Sequence, residues 1–500
     1  MNNKKLILKN IISSLLYQAI TLIYGFIVPV LIIQKFGSNV NGLISSISQF
    51  LAYIYLLEGG ISPVIKNAIF EPLVKNDKEK LENILGKTNV FFKRISYVFL
   101  GYIFLLCCIY PTIINNEFSF WYTVSLIIII AISRFSEYFL GITYSLFLKS
   151  DQKNYIIDNI NSISYIVNLI LVVILVKLNV NIQLIKLMTS IMFVARPIIL
   201  RMYFRKKYKL KISKKPTYKF EKQWDGLAHH IAATVQGNTD IIVLTVFSNL
   251  VNVSIYSVYA LVTNGIRAII VSLTNGMDAF FGKLMVKEEN NINNNFDIYS
   301  FIFYTITTIL LSTTLVLIVP FISVYTRNIT DANYVIPIFA YILVFAEFNY
   351  VIRYPYSTIA YAKGHFKETK NFSIVEPIVN IIISILLVPK YGLIGVAIGT
   401  LISMPIRSIG FINYGSKKLL KQSFSKTYKI ILVSLVQMVV IFLIHLLIGN
   451  INVNNYLDWI LLAVVACSII TLFVLTINAM IFKEQLKKIF NLIKKRKINV

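Results

Sequence analysis

Fourteen hydrophobic stretches, each long enough to cross a lipid bilayer, fill almost all of this 500-residue chain. A transmembrane helix needs about 20 apolar residues, and backbone hydrogen bonding in lipid permits only helices or closed barrels. The stretches are longer than barrel strands, which have about 9–11 residues, so we predict helices. The predicted cores are 11–33, 43–65, 95–115, 120–148, 156–178, 182–204, 227–247, 253–281, 297–325, 334–362, 370–389, 392–414, 428–449 and 457–482.

The composition fits a membrane protein and argues against two other classes. Hydrophobic residues make up 57% of the chain and charged residues 14%, yet the net charge is +27. A soluble domain does not combine such an apolar composition with so large a charge. The basic residues lie in short loops and form no groove with base-stacking aromatics, so nucleic acid is not an expected partner. The excess charge instead indicates a positive-inside topology and attraction to anionic membrane lipids.

Loops rich in lysine and arginine alternate along the chain with loops that are poor in them. Because basic loops stay on the cytoplasmic side, we predict a multi-pass protein of the cell membrane with both termini in the cytoplasm. The first span lacks a cleavage site and is expected to be retained. The basic segments assigned to the cytoplasmic side are Lys4, Lys5 and Lys9, the 66–94 loop, Lys149 and Lys153, 201–222, Lys283 and Lys287, 363–370, 417–429 and the tail 494–497.

Two halves of the chain are similar at a displacement of 211 to 212 residues. The Ile-Val-Asn run at 166–168 recurs at 378–380, and Arg196 falls opposite Arg407. An even number of spans separates the halves, so they are expected to be parallel repeats. We predict an all-α integral membrane fold of 14 transmembrane helices, with two six-helix lobes and two C-terminal helices. The predicted domains are an N-terminal lobe at 1–204, a basic cytoplasmic linker at 205–223, a C-terminal lobe at 224–415, and helices 13 and 14 with a basic tail at 416–500.

The loops leave no room for an enzyme domain. The external segments are turns, and the first of them, 34–41, carries no paired carboxylate. This argues against a polymerase, a ligase or a lipid-dependent glycosyltransferase. The chain has no GxxxxGK[ST] phosphate loop, and its three cysteines lie inside predicted spans without a histidine cluster. We therefore expect no enzymatic activity, no cofactor and no metal.

Ionisable residues deep in the spans are the candidate functional residues. A charge at the centre of a membrane helix costs about 2.5–3.5 kcal/mol on insertion scales, so it normally faces a partner or a wet cavity. Arg134 and Glu137 are three positions apart and could neutralise each other. Arg267 has no carboxylate within four positions, which makes it the strongest candidate for a cavity. The full set is Glu58, Arg134, Glu137, Asp240, Arg267, Glu347 and Arg353.

Four further ionisable residues are assigned weaker roles. Glu376, which precedes Pro377, is expected to be interfacial or to pair with another group. Lys186, Arg196 and Arg407 lie at depths where a long side chain can extend to the lipid headgroups. A structural role is favoured for these three basic residues.

The chain resembles the polysaccharide exporters of the multidrug/oligosaccharidyl-lipid/polysaccharide superfamily, the Wzx-type flippases. The resemblance covers the whole length and implies a MATE/MurJ-like fold. It also implies that the cargo is a polyprenyl-pyrophosphate-linked oligosaccharide, moved from the cytoplasmic to the outer leaflet by alternating access for surface polysaccharide synthesis. A polysaccharide polymerase and glycosyltransferases would then be partners. The stretches that carry the resemblance are 57–61 (Leu-Glu-Gly-Gly-Ile), the basic loop 71–80, and 389–397.

The resemblance also suggests an anion site. Arg267 corresponds in span and depth to an arginine that related lipid II flippases use for the pyrophosphate. Those relatives carry further arginines in their first and second spans, where this chain offers Gln18, Tyr24 and Glu58. This departure disfavours lipid II itself. We therefore expect Arg267 to share the diphosphate with Arg134 and Arg353, with Glu58, Asp240 and Glu347 compensating charge in the empty site.

Two alternatives remain open at the level of sequence. One is a cation-coupled multidrug exporter of the same superfamily, which would use acidic residues of the first lobe. The extra spans and the central arginines point away from it. The other is a membrane scaffold that recruits glycosyltransferases through its basic face.

Overall fold

The structure of the protein is a computed structural model that describes residues 3–114, 117–220, 227–287, 292–449, 451 and 453–489. Within these ranges the chain is helical and has no β-strand, which confirms the predicted all-α class. The basic tail 494–497 and positions 221–223 of the predicted linker lie outside the described residues.

The chain divides into two compact units, 1–257 and 258–500. The helices of the first unit are α1 (Asn3–Phe36), α2 (Ser38–Ala52), α3 (Ile54–Glu58), α4 (Ile61–Val74), α5 (Lys78–Ile113), α6 (Phe120–Ser136), α7 (Ile142–Ser150), α8 (Asn154–Lys177), α9 (Ile182–Tyr208) and α10 (Leu227–Phe247). A π-helical turn, Glu137–Gly141, joins α6 to α7. The next helix, α11 (Leu250–Ser272), begins in the first unit and continues into the second.

The second unit continues with helices of similar length. They are α12 (Met277–Lys287), α13 (Ile292–Tyr325), α14 (Pro337–Val351), α15 (Tyr354–Ala362), α16 (Phe366–Tyr391), α17 (Leu393–Tyr414), α18 (Phe424–Ile448) and α19 (Tyr456–Ile481). On α19, side chains such as Leu461 and Leu472 are each 67% exposed, as expected for a helix face that contacts hydrocarbon.

Twelve spans in the described part of the chain are long and apolar enough to cross a membrane, and each of the fourteen predicted cores overlaps a helix. Two predicted spans are not long and apolar enough to cross a membrane, for different reasons. The seventh, α10, carries histidines, Gln236, Asn238 and Asp240. The tenth is broken into α14 and α15, of 15 and 9 residues, each shorter than the roughly 20 residues a span needs.

The second span is interrupted at a pair of glycines. Gly59 and Gly60 have φ values of 58° and 72°, in the left-handed region that other residues rarely adopt. Helix α3 therefore ends at Glu58, and α4 starts in a new direction at Ile61. The break places the Glu58 carboxylate at a helix end.

The first unit contains a close approach between helices through small residues. Asn41 on α2 donates to Ser254 on α11 at 2.8 Å, and both side chains are buried. Beside this contact, a Cβ atom on Gly42 would lie 1.8 Å from the carbonyl oxygen of Leu250. Small residues allow such close backbone contact between membrane helices.

The segment that was predicted as an interlobe linker is partly ordered against the first unit. Helix α9 continues through Tyr208, so the first residues of the predicted linker are helical. Beyond it, the Ser213 amide donates to the Glu82 carbonyl at 3.1 Å, and the Thr217 amide donates to Asn83 Oδ1 at 2.9 Å. The domain boundaries at this linker remain a prediction.

The repeat predicted from the sequence has a counterpart in side-chain contacts. In the first unit, buried Asn168 on α8 donates to the Thr189 carbonyl of α9 at 3.5 Å. In the second unit, buried Asn380 on α16 donates to the Thr400 hydroxyl of α17 at 3.0 Å. Each asparagine therefore links the fifth predicted span of its half (α8 or α16) to the sixth (α9 or α17). This is expected for two copies of one ancestral lobe.

Gly42→Ala is expected to destabilise the protein by about 1–3 kcal/mol, because the added methyl group meets backbone that cannot rotate away. The measurement is the thermal unfolding midpoint in detergent. The control is Gly101→Ala on α5, where a Cβ would meet nothing within 4 Å and the midpoint should stay the same or rise. Equal midpoints for the two variants would contradict the close α2–α11 contact.

Candidate functional site

A cavity of about 660 Å³ lies inside the first unit, among eight helices and the π-helical turn. Its lining includes more basic than acidic side chains. The basic ones are Lys66, Arg134, Lys149, Lys186 and Arg196, and the acidic ones are Glu58 and Glu137. Five tyrosines also face it: Tyr17, Tyr24, Tyr55, Tyr138 and Tyr165. The cavity is therefore polar, aromatic and positively charged.

Three of the predicted site residues meet in this cavity. Arg134 donates from Nη1 to the Tyr55 hydroxyl at 2.6 Å, and Glu137 lies near enough to act on its charge without being in direct contact. Glu58 accepts hydrogen bonds from Ser62 and, at 3.4 Å, from Tyr138. The Arg134 guanidinium keeps its positive charge without a carboxylate in direct contact among the described side chains.

Two basic residues that were given weaker roles, Lys186 and Arg196, face this cavity. Both were expected to extend to the headgroups, but both line the cavity because they lie on the inner face of α9. Arg196 lies over the rings of Phe193 and Tyr165, with its guanidinium carbon 4.3 Å and 5.8 Å from their centroids. One signal could have identified them: α9 carries a stripe at helical spacing, Lys186, Thr189, Ser190, Phe193, Arg196 and Pro197.

The other predicted arginines gather in the second unit, where carboxylates compensate them. Arg267 on α11 forms a two-pronged ion pair with Glu347 on α14, with Nε 2.8 Å from Oε2. The Tyr350 ring lies between Arg267 and Arg353, with its centroid 4.3 Å and 3.7 Å from the two guanidinium carbons. Arg267 therefore has a carboxylate partner 80 positions away that sequence spacing could not reveal.

Glu376 extends this group into a larger ion cluster. The carboxylate on α16 lies 3.8 Å from Arg353 and 3.4 Å from Arg407, and its exposed fraction is 0%. Arg407 was expected to reach the headgroups. It does not, because α17 turns it toward Glu376. Three arginines and two glutamates thus share one region of the second unit, which we call the ion cluster: Arg267, Glu347, Arg353, Glu376 and Arg407.

Asp240 lies apart from the other predicted site residues of the first unit. It is buried on α10 and accepts a hydrogen bond from the Tyr256 hydroxyl at 2.7 Å. It is not among the residues that line the 660 Å³ cavity. A direct role in that cavity is therefore not supported by its position.

Corresponding arginines of the repeat have different neighbours in the two units. Arg196 and Arg407 are 211 residues apart, and they contact Tyr165 and Glu376 respectively. In the first unit the arginine lies over a neutral tyrosine ring, and in the second it contacts a carboxylate. Among the described side chains, the arginine is therefore paired with a carboxylate in the second unit and not in the first.

No protein-family model and no curated protein sequence matches the chain. Solved structures do match it. The lipid II flippase MurJ, in an inward closed conformation, is 16% identical, covers 94% of this chain and 98% of its own, and has a TM-score of 0.69. An inward-facing multidrug resistance MATE family transporter of the MOP superfamily is 13% identical, with 81% and 95% covered and a TM-score of 0.60.

A eukaryotic MATE transporter, AtDTX14, is 12% identical to the chain, with 86% and 99% covered and a TM-score of 0.57. Identities this low show the fold alone. The protein therefore has the MATE/MurJ-like multi-pass helical fold that was predicted from its sequence.

Glu376→Gln is expected to destabilise the second unit strongly, because Arg353 and Arg407 would remain buried with their shared counter-charge removed. Breaking a buried ion pair in this way costs about 3–5 kcal/mol. The measurement is the thermal unfolding midpoint and the yield of folded protein in detergent.

The matched control is Glu71→Gln, on an exposed pair outside the membrane spans. Hydrogen bonds from Lys75 and Lys80 lower the pKa of the Glu71 carboxyl below its usual value, yet both partners are in water. Its removal should leave the midpoint nearly unchanged. A Glu376→Gln variant as stable as this control would exclude a compensating role for Glu376.

Proposed function

We propose that the protein is a flippase that moves a polyprenyl-pyrophosphate-linked oligosaccharide from the cytoplasmic to the outer leaflet of the cell membrane. The observation that carries this proposal is the positively charged, tyrosine-lined cavity inside the first unit. Its volume of about 660 Å³ falls within the range of roughly 300–1,000 Å³ found for ligand sites. The transporter fold of MurJ and MATE supports the same conclusion.

The chemistry of the lining suits the two parts of such a headgroup. Arg134 and Arg196 can each offer a planar set of donors to phosphate oxygens, and neither contacts a carboxylate among the described side chains. Tyrosine rings and hydroxyls such as those of Tyr24 and Tyr165 suit the faces and hydroxyl groups of sugars. The lipid tail can remain in the bilayer throughout.

The ion cluster has a different part in this proposal. Glu347 and Glu376 neutralise most of its positive charge, so an anion gains less there than in the first unit. We therefore assign the diphosphate first to Arg134 and Arg196. Arg267 and Arg353 become available to an anion only if their carboxylate partners separate from them.

The first test is headgroup exposure of a polyprenyl-pyrophosphate oligosaccharide in proteoliposomes. Arg134→Gln should lower the flipping rate at least about tenfold, since a hydrogen bond to a charged group contributes about 1.5–3 kcal/mol. Arg134→Lys keeps the charge but loses the planar donors, so its flipping rate should lie between the rates of the intact protein and Arg134→Gln. The control Arg94→Gln removes an exposed arginine of α5 and should leave the rate unchanged.

The result also separates this proposal from drug export. Glu58 and Glu137 are the acidic groups of the cavity and would be essential to a cation-coupled exporter. The protein would be a drug exporter instead if two results were found together. Folded protein would flip no glycan lipid, and it would show efflux of cationic drugs that is lost in Glu58→Gln.

The membrane potential should drive the reaction. Moving about two anionic charges outward from a negative interior gains roughly 4.6 kcal/mol at 100 mV, at about 2.3 kcal/mol per charge. In proteoliposomes with an imposed potassium diffusion potential, flipping should speed up when the substrate side is negative and slow down when the polarity is reversed. A rate that ignores the potential but requires a proton or sodium gradient would show coupling to an ion instead.

A further inference from the structure

A second cavity of about 770 Å³ lies in the first unit at the end of α9, and it shares no lining residue with the 660 Å³ cavity. It is bounded by α5, the π-helical turn, α7, the end of α9 and the segment 209–214. No acidic side chain lines it in the described part of the chain. Its six basic lining residues are Lys93, Arg201, Arg205, Lys209, Lys211 and Lys214.

The wall formed by 209–214 is held firmly in place. Leu210 and Ile212 pack against the hydrophobic core of the first unit, while Lys209 and Lys211 alternate with them and remain exposed. The Lys211 amide donates to Glu82 Oε1 at 2.6 Å. This backbone anchoring holds the lysines close to the arginines of α9 despite their mutual repulsion.

The backbone of this wall also fits tightly against α5. A Cβ atom on Gly86 would lie 2.5 Å from the Ser213 carbonyl oxygen, so the segment approaches α5 as closely as a glycine allows. The wall is therefore a built part of the first unit.

Arg201 lacks a complete set of partners. Its side chain is half-buried, and its Nε is buried without a hydrogen-bond partner among the described residues. Buried donors are normally satisfied, so this nitrogen is available to donate to an anion. Arginine commonly binds phosphate oxygens through several donors at once.

The position of the cavity indicates a ligand that is anionic at one end and apolar at the other. Lys93 lies on a span, with its ammonium 5.1 Å from the Phe139 ring centroid, and Val90 and Leu140 also line the cavity. Just beyond it, Met202 on α9 is 65% exposed. Cations at a membrane boundary next to an apolar surface match the headgroup and acyl chains of a phospholipid.

We propose that this cavity binds the phosphate headgroup of an anionic phospholipid from the leaflet that faces the basic loops. The lipid phosphate would be held between Arg201, Arg205 and the lysines of 209–214, and its acyl chains would lie along the apolar wall. The site is separate from the cavity assigned to the flipped cargo. Lipid binding can therefore fail while flipping is observed, and the reverse.

The test uses the delipidated full-length protein and native mass spectrometry with phosphatidylglycerol or phosphatidylcholine. The intact protein should retain phosphatidylglycerol at least about tenfold more than phosphatidylcholine, because each basic residue at the surface attracts an anionic headgroup. The triple variant R201Q/R205Q/K214Q should lose this preference. The matched control K363Q/K367Q/K370Q removes three exposed lysines elsewhere and should keep it.

Single variants keep the test valid if the triple variant fails to fold. Arg201→Gln should weaken phosphatidylglycerol retention, and Arg201→Lys should restore part of it. Equal retention of the two lipids by the intact protein would overturn the proposal. So would a control variant that loses the preference for phosphatidylglycerol as fully as the triple variant does. Full displacement of the lipid by inorganic phosphate would overturn the assignment to a lipid. Preferential displacement by polyprenyl pyrophosphate would assign the cavity to the cargo instead.

Discussion

Charge compensation inside the hydrocarbon layer is the constraint on which the arrangement of this protein depends. A buried guanidinium or carboxylate needs a partner or a wet cavity, and both solutions occur here. In the second unit, Glu347 and Glu376 neutralise arginines from three other elements of the fold. In the first unit, Arg134 and Arg196 rest against tyrosine and phenylalanine rings beside an open cavity.

The two units therefore use one helical scaffold for different purposes. The repeat places an arginine at the same position of the sixth helix in each half, as Arg196 and Arg407. The side chains beside these arginines differ: Arg196 lies over the Tyr165 ring, and Arg407 contacts the Glu376 carboxylate. The neighbouring side chain thus determines whether the arginine is paired with a carboxylate.

Interruptions of the helices have a similar role. The glycine pair after Glu58 and the π-helical turn beginning at Glu137 both lie in spans that line the cavity. In a continuous α-helix, the regular backbone would fix the direction of each carboxylate. The breaks let the backbone present these side chains at the cavity wall, and irregular backbone of this kind is tolerated in a membrane where it lines a polar space.

The sequence by itself determined the helical class and the approximate position of twelve membrane spans in the described part of the chain, since hydropathy and helical spacing are local properties of the chain. Only the tertiary structure decided how the charged residues of the spans are used. The partner of Arg267 lies 80 residues away on another helix, and Lys186 and Arg196 were assigned to the headgroups until the inner face of α9 was known. The pairing of buried charges depends on which helix faces meet, and that is a property of packing between distant segments.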